Sequence, residues 1–340
     1  MGQSTLALSP PLKTSPANFP LPLQSAQPAF PAALAVLAVA LAGCTTLKHT
    51  AVDRLGDALA GGGTTFAADD DPQLIAAATP FSLKLMESLL AERPHHRGLL
   101  LAAASGFTQY SFAFVQQDAD ELAEKDYAAG QVLRDRSRRL YLRARDYGLR
   151  GLEVNHPDFA RRLRTNPSAA VLRATREDVP LLFWTAAAWG AAISLSKDNA
   201  DLIADQGILE ALIDRAAALD PDFEHGAIHG FLITYEMARP GGVGDPAARS
   251  RAHFEQAMVL SQGRQAGPLV SLAEAVAVPR QNRAEFERLL QRALALDADV
   301  EPAFRLVNLM MQRRARWLLG RADELFIPES MPTPAAPAAG

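Results

Sequence analysis

The sequence predicts an all-α fold, built as an array of helix-turn-helix repeats. Apolar residues recur at the spacing of amphipathic helices along most of the 340 residues, and no alternating, β-branched strand pattern interrupts them. About half of the residues, 49%, are apolar, which is enough for a sizeable core. Helices with similar ends also return at related intervals, which indicates repetition.

A short apolar run near the amino terminus has the form of a secretory signal. Residues 30–43 are apolar, end in small residues and precede Cys44, the single cysteine of the chain. The sequence LAGC at positions 41–44 resembles a bacterial lipobox, in which a peptidase cuts before the cysteine and the thiol carries a lipid. We therefore expect residues 1–43 to be a lipoprotein signal peptide and Cys44 to be lipidated. The alternatives are an unlipidated signal peptide and a buried helix with a chance cysteine.

Composition divides the rest of the chain into three parts. Residues 44–72 include GGGTT and DDDP and are predicted to form a flexible tether, whereas the proline-rich residues 328–340 are predicted to be a disordered tail. Residues 73–327 are expected to form the helical domain. The formal net charge of −4, without a long basic run, argues against a nucleic-acid partner.

Several helices are predicted from their start signals, in which a capping side chain precedes a proline or an apolar run. These signals are Thr79–Pro80, Asp178 with Pro180, Asn199, and Asp245–Pro246. The helix after Asn199 is expected to end at Asp220–Pro221. Two further helices, over residues 281–299 and 300–326, complete the predicted domain.

The predicted helices share a type of ending, such as AALDPDF and ALALDAD. The last core leucines of these helices are Leu90, Leu152, Leu219, Leu260 and Leu296. Their separations lie near 34 residues or twice that number, and a period of about 34 is typical of tetratricopeptide repeats. The pattern favours degenerate repeats over an irregular bundle of helices.

Residues 179–196, VPLLFWTAAAWGAAISLS, carry no charge. The stretch lies at the lower length limit of a bilayer crossing, and charged residues flank it on both sides. These features favour a core helix over a membrane span. Because the helix is apolar nearly all round, it must be buried on every side. We expect it to line a groove or an opening, whereas coverage by longer neighbouring helices is the alternative.

Three blocks of the sequence resemble one known family. They are REDVPLLFWTAAAWGAAISLSKDN, FEHGAIHGFLITYEMARPGGVGDPAARSRAHFEQAM and EPAFRLVNLMMQRRARWLLGRADELF. Together they resemble the TatT family, tetratricopeptide-like lipoproteins associated with tripartite ATP-independent periplasmic (TRAP) transporters. The resemblance implies a periplasmic, lipid-anchored trimer that works with the transporter's substrate-binding subunit, without a catalytic activity or a cofactor. Aspartate after the lipidated cysteine typically retains such proteins at the inner membrane. Because Thr45 follows Cys44 instead, we expect the lipid anchor to lie in the inner leaflet of the outer membrane.

Two histidines are the main candidates for metal chemistry. His225 and His229 stand four residues apart, a spacing that places both imidazoles on one face of a helix. The chain lacks the glutamate of the zincin motif and an evident third ligand. A packed or pocket-lining histidine is therefore the favoured interpretation, and no metal site is predicted.

A basic stretch and a glycine-rich loop are further candidates. Residues 134–150 carry seven arginines, and they are predicted to form the solvated face of an amphipathic helix or a contact for an acidic partner. Residues 239–246, RPGGVGDP, lack the lysine and the preceding strand of a phosphate-binding loop. A helix end, a turn and a new helix start account for them.

Five residues are predicted to contact a ligand or a partner. Trp184 and Trp189 are five positions apart and therefore point to different sides of their helix. His229, Tyr235 and Arg239 provide the few polar groups that orient a ligand in a mostly apolar pocket.

The sequence thus predicts a non-enzymatic lipoprotein that binds the TRAP substrate-binding subunit, a small ligand, or both. A general envelope scaffold is one alternative. A metal-dependent hydrolase that uses His225 and His229 is another.

Overall fold

The computed structural model describes residues 52–59, 61 and 63–328, and all regular structure among them is helical. Cys44, the predicted signal peptide and most of the predicted tail lie outside the described residues. The α-helices are α1 (residues 52–59), α2 (Gly63–Ala67), α3 (Pro72–Glu92), α4 (Arg97–Tyr110), α5 (Gln117–Ala123), α6 (Tyr127–Asn155), α7 (Phe159–Thr165), α8 (Pro167–Val171), α9 (Val179–Ser194), α10 (Ala200–Ala204), α11 (Gln206–Leu219), α12 (Phe223–Tyr235), α13 (Pro246–Leu260), α14 (Gly267–Leu272), α15 (Arg283–Leu294), α16 (Arg305–Gly320) and α17 (Ala322–Leu325).

Short irregular turns connect some of these helices. Residues Ser111–Gln116 and Ala273–Ala277 are π-helical, and Arg176–Asp178 and Pro302–Phe304 are 3₁₀ turns. The first π-helical turn joins α4 to α5 without a break in the chain direction, and the second extends α14.

Hydrogen bonds to cap residues confirm two of the predicted helix starts. The Asn199 side chain accepts from the backbone N–H of Leu202 at 3.1 Å and caps α10. Asp245 accepts from the N–H of Ala247 at 3.3 Å, and Pro246 occupies the first turn of α13.

The helix start predicted at Thr79–Pro80 is wrong, because Pro80 lies inside α3. That helix begins at Pro72, where the Asp71 carboxylate accepts from the N–H of Leu74 at 2.9 Å. An aspartate cap followed by proline is a strong start signal. In the sequence it stands within the acidic run DDDP, whose composition predicted a tether.

Part of the segment predicted to be a tether is helical and packed against the domain. Helix α1 lies within it, and Arg93 holds the Asp53 carboxylate through two hydrogen bonds of 2.7 and 2.8 Å. Gly56 is buried beside Leu99, whose side chain would lie 2.9 Å from a Cβ atom at that glycine.

The core consists of three clusters that follow one another along the chain. The first joins α3, α4 and the middle of α6, the second surrounds α9 and α11, and the third joins α13 to α17. Each helix therefore packs mainly against helices that are near it in sequence. The described helices confirm the all-α class, whereas the tetratricopeptide-type repeat stays a prediction.

The last long helix returns to the first part of the array. The Arg313 guanidinium lies 2.7 Å from both Asp118 and Glu121, and Arg314 bonds to Asp120 at 2.8 Å. More than 190 residues separate the partners in each pair. These ion pairs join α16 to α5 and close the array.

Two helical stretches of the described chain are long and apolar enough to cross a membrane. They are Pro72–Glu92, with 22% of its apolar window buried, and Arg97–Ala123, with 50% buried. Core helices and signal sequences pass the same test, so length and composition alone are weak support for a span. Within the array, α4 packs against α3, α6 and α9.

Candidate functional site

Helix α9 is covered by its neighbours. It packs against α4, α6, α11 and α12, and its sixteen residues are fewer than a bilayer crossing needs. The approach of α6 depends on glycine, because a Cβ atom at Gly148 would lie 2.1 Å from Thr185 Oγ1. One at Gly151 would lie 2.5 Å from Leu181 Cδ2. The neighbouring helices thus bury most of the apolar sequence, whereas Trp184, Ala187, Gly190 and Ala191 along one side are partly exposed.

The two tryptophans of α9 have different neighbours, as their five-residue spacing predicts. Trp189 is buried, and the guanidinium carbons of Arg145 and Arg164 lie 4.9 and 5.9 Å from its ring centroid. Trp184 is partly buried, and its ring lies edge-on to Phe183 at 5.0 Å. Trp189 therefore belongs to the core near α6, and Trp184 lies beside the start of α12.

The start of α12 has an unusual backbone. Glu224, His225 and Gly226 have φ angles of 44°, 56° and 93°, so that three successive residues adopt left-handed conformations. Residues with side chains seldom adopt these angles, and such strain is common at functional sites. At Gly226 a Cβ atom would also lie 3.2 Å from Ala257 Cα and from Leu260 Cβ, so both the φ angle and the close approach of α13 favour glycine there.

This turn separates the two histidines that the sequence places on one helical face. The His225 ring lies edge-on to Phe304 at 5.4 Å, whereas His229 Nδ1 lies 2.9 Å from His253 Nδ1. The expectation of a shared face is therefore wrong, because residues 224–226 are not in a right-handed helix.

The turn forms one side of an aromatic cluster that we term the aromatic junction. It comprises Phe183, Trp184, Phe223, Glu224, His225 and Phe304. The rings of Phe183 and Phe223 are 5.4 Å apart and link α9 to α12. Phe304 comes from the 3₁₀ turn before α16. The cluster thus brings together residues from three distant segments of the chain.

Glu224 supplies an acidic group to the aromatic junction. Its side chain remains accessible to solvent, but protein surrounds it on most sides, and this burial raises the pKa of its carboxyl group. A hydrogen bond with Trp184 partly offsets the shift. A carboxyl group among aromatic rings can receive a cationic or hydrogen-bond-donating group of an otherwise apolar ligand.

His229 and His253 form a pair between α12 and α13. Burial lowers the pKa of both imidazoles, and the charge of His229 lowers that of His253 further. One neutral ring therefore donates its Nδ1 proton to the other. In the described part of the chain, no group of three or more metal-ligating side chains comes together.

Tyr235 and Arg239 contact each other and the acidic residues around them. The Tyr235 hydroxyl donates to Glu210 at 3.0 Å, and the Arg239 guanidinium lies 5.9 Å from the Tyr235 ring centroid. Arg239 is paired with Asp214 and Glu236. These contacts hold α11 and α12 together. Trp184 takes no part in these contacts. Of the five predicted contact residues, Tyr235 and Arg239 thus contact each other, whereas Trp184, Trp189 and His229 have different neighbours.

Phe223, Glu224 and Phe304 were not among the residues predicted from the sequence. Phe304 is 79 positions from His225, so no local pattern connects them. The sequence EHG, in which glycine follows two polar residues shortly after Asp220–Pro221, is the one signal for a special turn.

The outer surface of α6 carries a second feature, a row of exposed arginines. Arg139, Arg143 and Arg150, with Tyr147 between them, line a shallow depression of about 350 Å³. The Arg143 and Arg150 guanidiniums lie over the rings of Phe107 and Tyr147, at 5.5 and 5.3 Å from the centroids.

Comparison with known proteins gives two matches. The family model described as TRAP transporter T-component matches residues 68–326. An uncharacterized protein of Treponema pallidum (strain Nichols) is 32% identical over 266 residues, which cover 77% of this chain and 82% of that protein. The matched region takes in α3 to α17, and with it the aromatic junction and the arginines of α6. The chain therefore belongs to the TRAP transporter T-component family, a family of transporter components rather than of enzymes.

Proposed function

We propose that the chain is a non-enzymatic accessory subunit of a TRAP transporter that binds the transporter's substrate-binding subunit. The observation that carries this proposal is the family match, which spans residues 68–326 and therefore the whole packed array after α2. The closed array supports it, since helical arrays of this kind present large, stable surfaces to protein partners. The alternative function, a metal-dependent hydrolase that uses both histidines, is not supported, because His225 and His229 have different neighbours.

Affinity purification of the intact chain from its own membranes tests this function. A tag at the carboxyl terminus leaves Cys44 free, and mild detergent keeps membrane complexes together. We expect mass spectrometry to identify the TRAP substrate-binding subunit in the eluate. A general envelope scaffold would instead enrich unrelated lipoproteins or outer-membrane proteins, and recovery of those without the substrate-binding subunit would contradict the proposal.

A lipid at Cys44 would hold the subunit in the periplasm, on the inner leaflet of the outer membrane. The sequence LAGC and the preceding apolar run support this anchor. Metabolic labelling with a fatty acid should mark the natural chain but not the variant Cys44→Ala. Equal labelling of the two would exclude the anchor. The proposed trimer is tested by light scattering on the purified chain, which should give three times the mass of one copy.

A small ligand at the aromatic junction is the second proposed function. It is favoured by the carboxyl group of Glu224, which three left-handed residues hold among aromatic rings. The ligand would be largely apolar and would carry an amine or another hydrogen-bond donor. Native mass spectrometry of the purified chain should show a bound mass that Trp184→Ala and Glu224→Gln weaken. If both variants keep the ligand, it binds elsewhere.

A further inference from the structure

The seven arginines of residues 134–150 fall into two groups. Three of them are neutralised by carboxylates: Arg134 by Asp120, Arg138 by Asp135, and Arg145 by Asp146, at 3.0, 3.3 and 2.8 Å. The two aspartates of this stretch are thus already occupied by Arg138 and Arg145.

The other four arginines, Arg136, Arg139, Arg143 and Arg150, form the exposed row of α6, which we term the α6 arginine row. Their spacing of three, four and seven residues places them on one face of the helix. Arg136 bonds to a phenol oxygen at 3.4 Å, and Arg150 bonds to a backbone carbonyl at 3.1 Å. Arg139 has no hydrogen-bond or ion-pair partner among the described residues.

Arg143 makes a long contact with the carboxylate of Glu87. Its guanidinium lies 3.5 Å from Glu87, which is also bound by Lys84 at 2.5 Å and by the Tyr147 hydroxyl at 2.8 Å. Among the described contacts, Arg143 is therefore the one arginine of the row with a carboxylate partner, and other groups already hold that carboxylate. The four arginines leave a strong positive charge on the surface of a chain whose net charge is −4.

The side chains of the row are also ordered in the chain without a partner. Arg136, Arg143 and Arg150 each lie over an aromatic ring, at 5.9, 5.5 and 5.3 Å from its centroid. Stacking fixes the plane of a guanidinium and leaves its N–H edge free for a carboxylate, to which it can donate two parallel hydrogen bonds. Because the side chains are already ordered, binding loses less conformational entropy.

From these contacts we infer that the α6 arginine row is the docking surface for an acidic, carboxylate-rich face of the transporter's substrate-binding subunit. This inference rests on the proposed function and locates it on the chain. Planar, stacked arginines suit carboxylates, and the shallow depression between Arg139, Arg143 and Arg150 can receive a protruding acidic side chain. Asp146 also lines this depression, where Arg145 pairs with it at 2.8 Å.

Equilibrium binding of the purified substrate-binding subunit to the full chain tests the inference. The double variant Arg139→Glu with Arg150→Glu reverses two charges of the row. We expect its affinity to fall by about 30-fold or more, because like charges then face each other across the interface. The matched control, Arg173→Glu with Arg292→Glu, changes the net charge equally at exposed arginines outside the row and should bind like the natural chain.

The outcomes separate the inference from the function on which it rests. Full affinity in the row variant, beside binding by the natural chain, overturns the inference and leaves the proposed function intact. If the natural chain does not bind the subunit, both are wrong. The inference is also overturned if the row variant loses only its adsorption to phosphatidylglycerol vesicles, or if light scattering shows that it loses self-association. The face would then contact lipid or another copy. A thermal unfolding curve like that of the control pair confirms that the row variant is folded.

Discussion

Helices α6 and α16 both carry clusters of arginines, but they use them differently. Arg313 and Arg314 on α16, and Arg321 directly after it, each bond to two carboxylates. The pairs with Asp118, Asp120 and Glu121 join the end of the array to α5. On α6, three of the four arginines of the exposed row lie over aromatic rings, and Arg143 makes the one carboxylate contact of the row, with Glu87. Neutralised arginines thus hold this fold together, whereas the arginines of the α6 row are available to a partner.

Loss of an α16 arginine should have the largest effect on stability. Arg314 is 14% exposed, pairs with Asp120 and Glu274, and lies over the Trp317 ring at 4.2 Å. We expect Arg314→Ala to lower the free energy of unfolding by about 3 kcal/mol, because Glu274 would lose its partner in a partly buried site and Asp120 would keep only Arg134. Urea denaturation measures this. Arg139→Ala is the matched control, and its change should stay within about 0.5 kcal/mol. Equal losses in the two variants would remove the distinction between the helices.

The inner face of α6 should tolerate change less than its arginine row. The variant Gly148→Ala places a Cβ atom 2.1 Å from Thr185 Oγ1, so that α6 and α9 must move apart. We expect a loss of about 2 kcal/mol in the free energy of unfolding, the usual cost of overpacking. Gly230→Ala in α12 is the control, since a Cβ atom there has no neighbour within 4 Å. Its better helix propensity should leave stability unchanged or raise it by up to about 1 kcal/mol. A Gly148→Ala variant as stable as this control would show that the helices are not closely packed.

Salt should affect the functions of the two arginine clusters differently. Raising the ionic strength from about 0.05 to 0.5 M shortens the screening length several-fold and should slow association with the substrate-binding subunit about tenfold. The free energy of unfolding should change little, because the α16 pairs are partly buried and therefore less screened. Stopped-flow binding and urea denaturation in the same buffers measure both. Association that is insensitive to salt would contradict an electrostatic role for the α6 arginine row.

The smallest effect is expected at Glu87. Burial opposes its ionisation, but hydrogen bonds from Lys84 and Tyr147 and the charge of Arg143 together lower the pKa of its carboxyl group below the usual 4.5. The variant Glu87→Gln would release Arg143, and we expect it to bind the substrate-binding subunit about twofold more tightly. Calorimetric titration measures this change, and weaker binding by the variant would show that Glu87 positions the row instead.

The same carboxylate has a defined pH dependence. Because its folded-state pKa is lowered, its stabilising contribution is present above about pH 4.5 and is lost as the pH falls through the lower folded-state value. The stabilities of the natural chain and Glu87→Gln should therefore differ near neutral pH and converge in acid. A difference that persists in acid would exclude ionisation as its cause.

The sequence was a good guide wherever a signal is local. The cap residues Asn199 and Asp245 confirm two predicted helix starts, and the uncharged run after Asp178 forms the core helix α9. Pro80 misled because proline inside a helix carries the same local signal as proline at its start. The left-handed turn at Glu224 could not be predicted, because contacts with α13 and Phe304, both distant in sequence, accompany it.

The ion pairs of the arginines also could not be predicted from local sequence. Seven arginines within residues 134–150 are visible in the sequence, and so is their amphipathic spacing. Which of them are neutralised depends partly on distant groups, such as Asp120 for Arg134 and Glu87 for Arg143. Arg313 and Arg314 look no different in the sequence, although each has a partner more than 190 residues away.

Site-specific photo-crosslinking in intact cells tests the docking surface most directly. A benzoylphenylalanine residue is introduced in place of Arg139, or in place of Arg292 as the control on α15, and the cells are irradiated. Both positions are exposed, so neither replacement disturbs the core. We expect a covalent adduct with the TRAP substrate-binding subunit from position 139 and none from position 292. An adduct from position 292 alone, or none from position 139 while the two proteins still copurify, would contradict it.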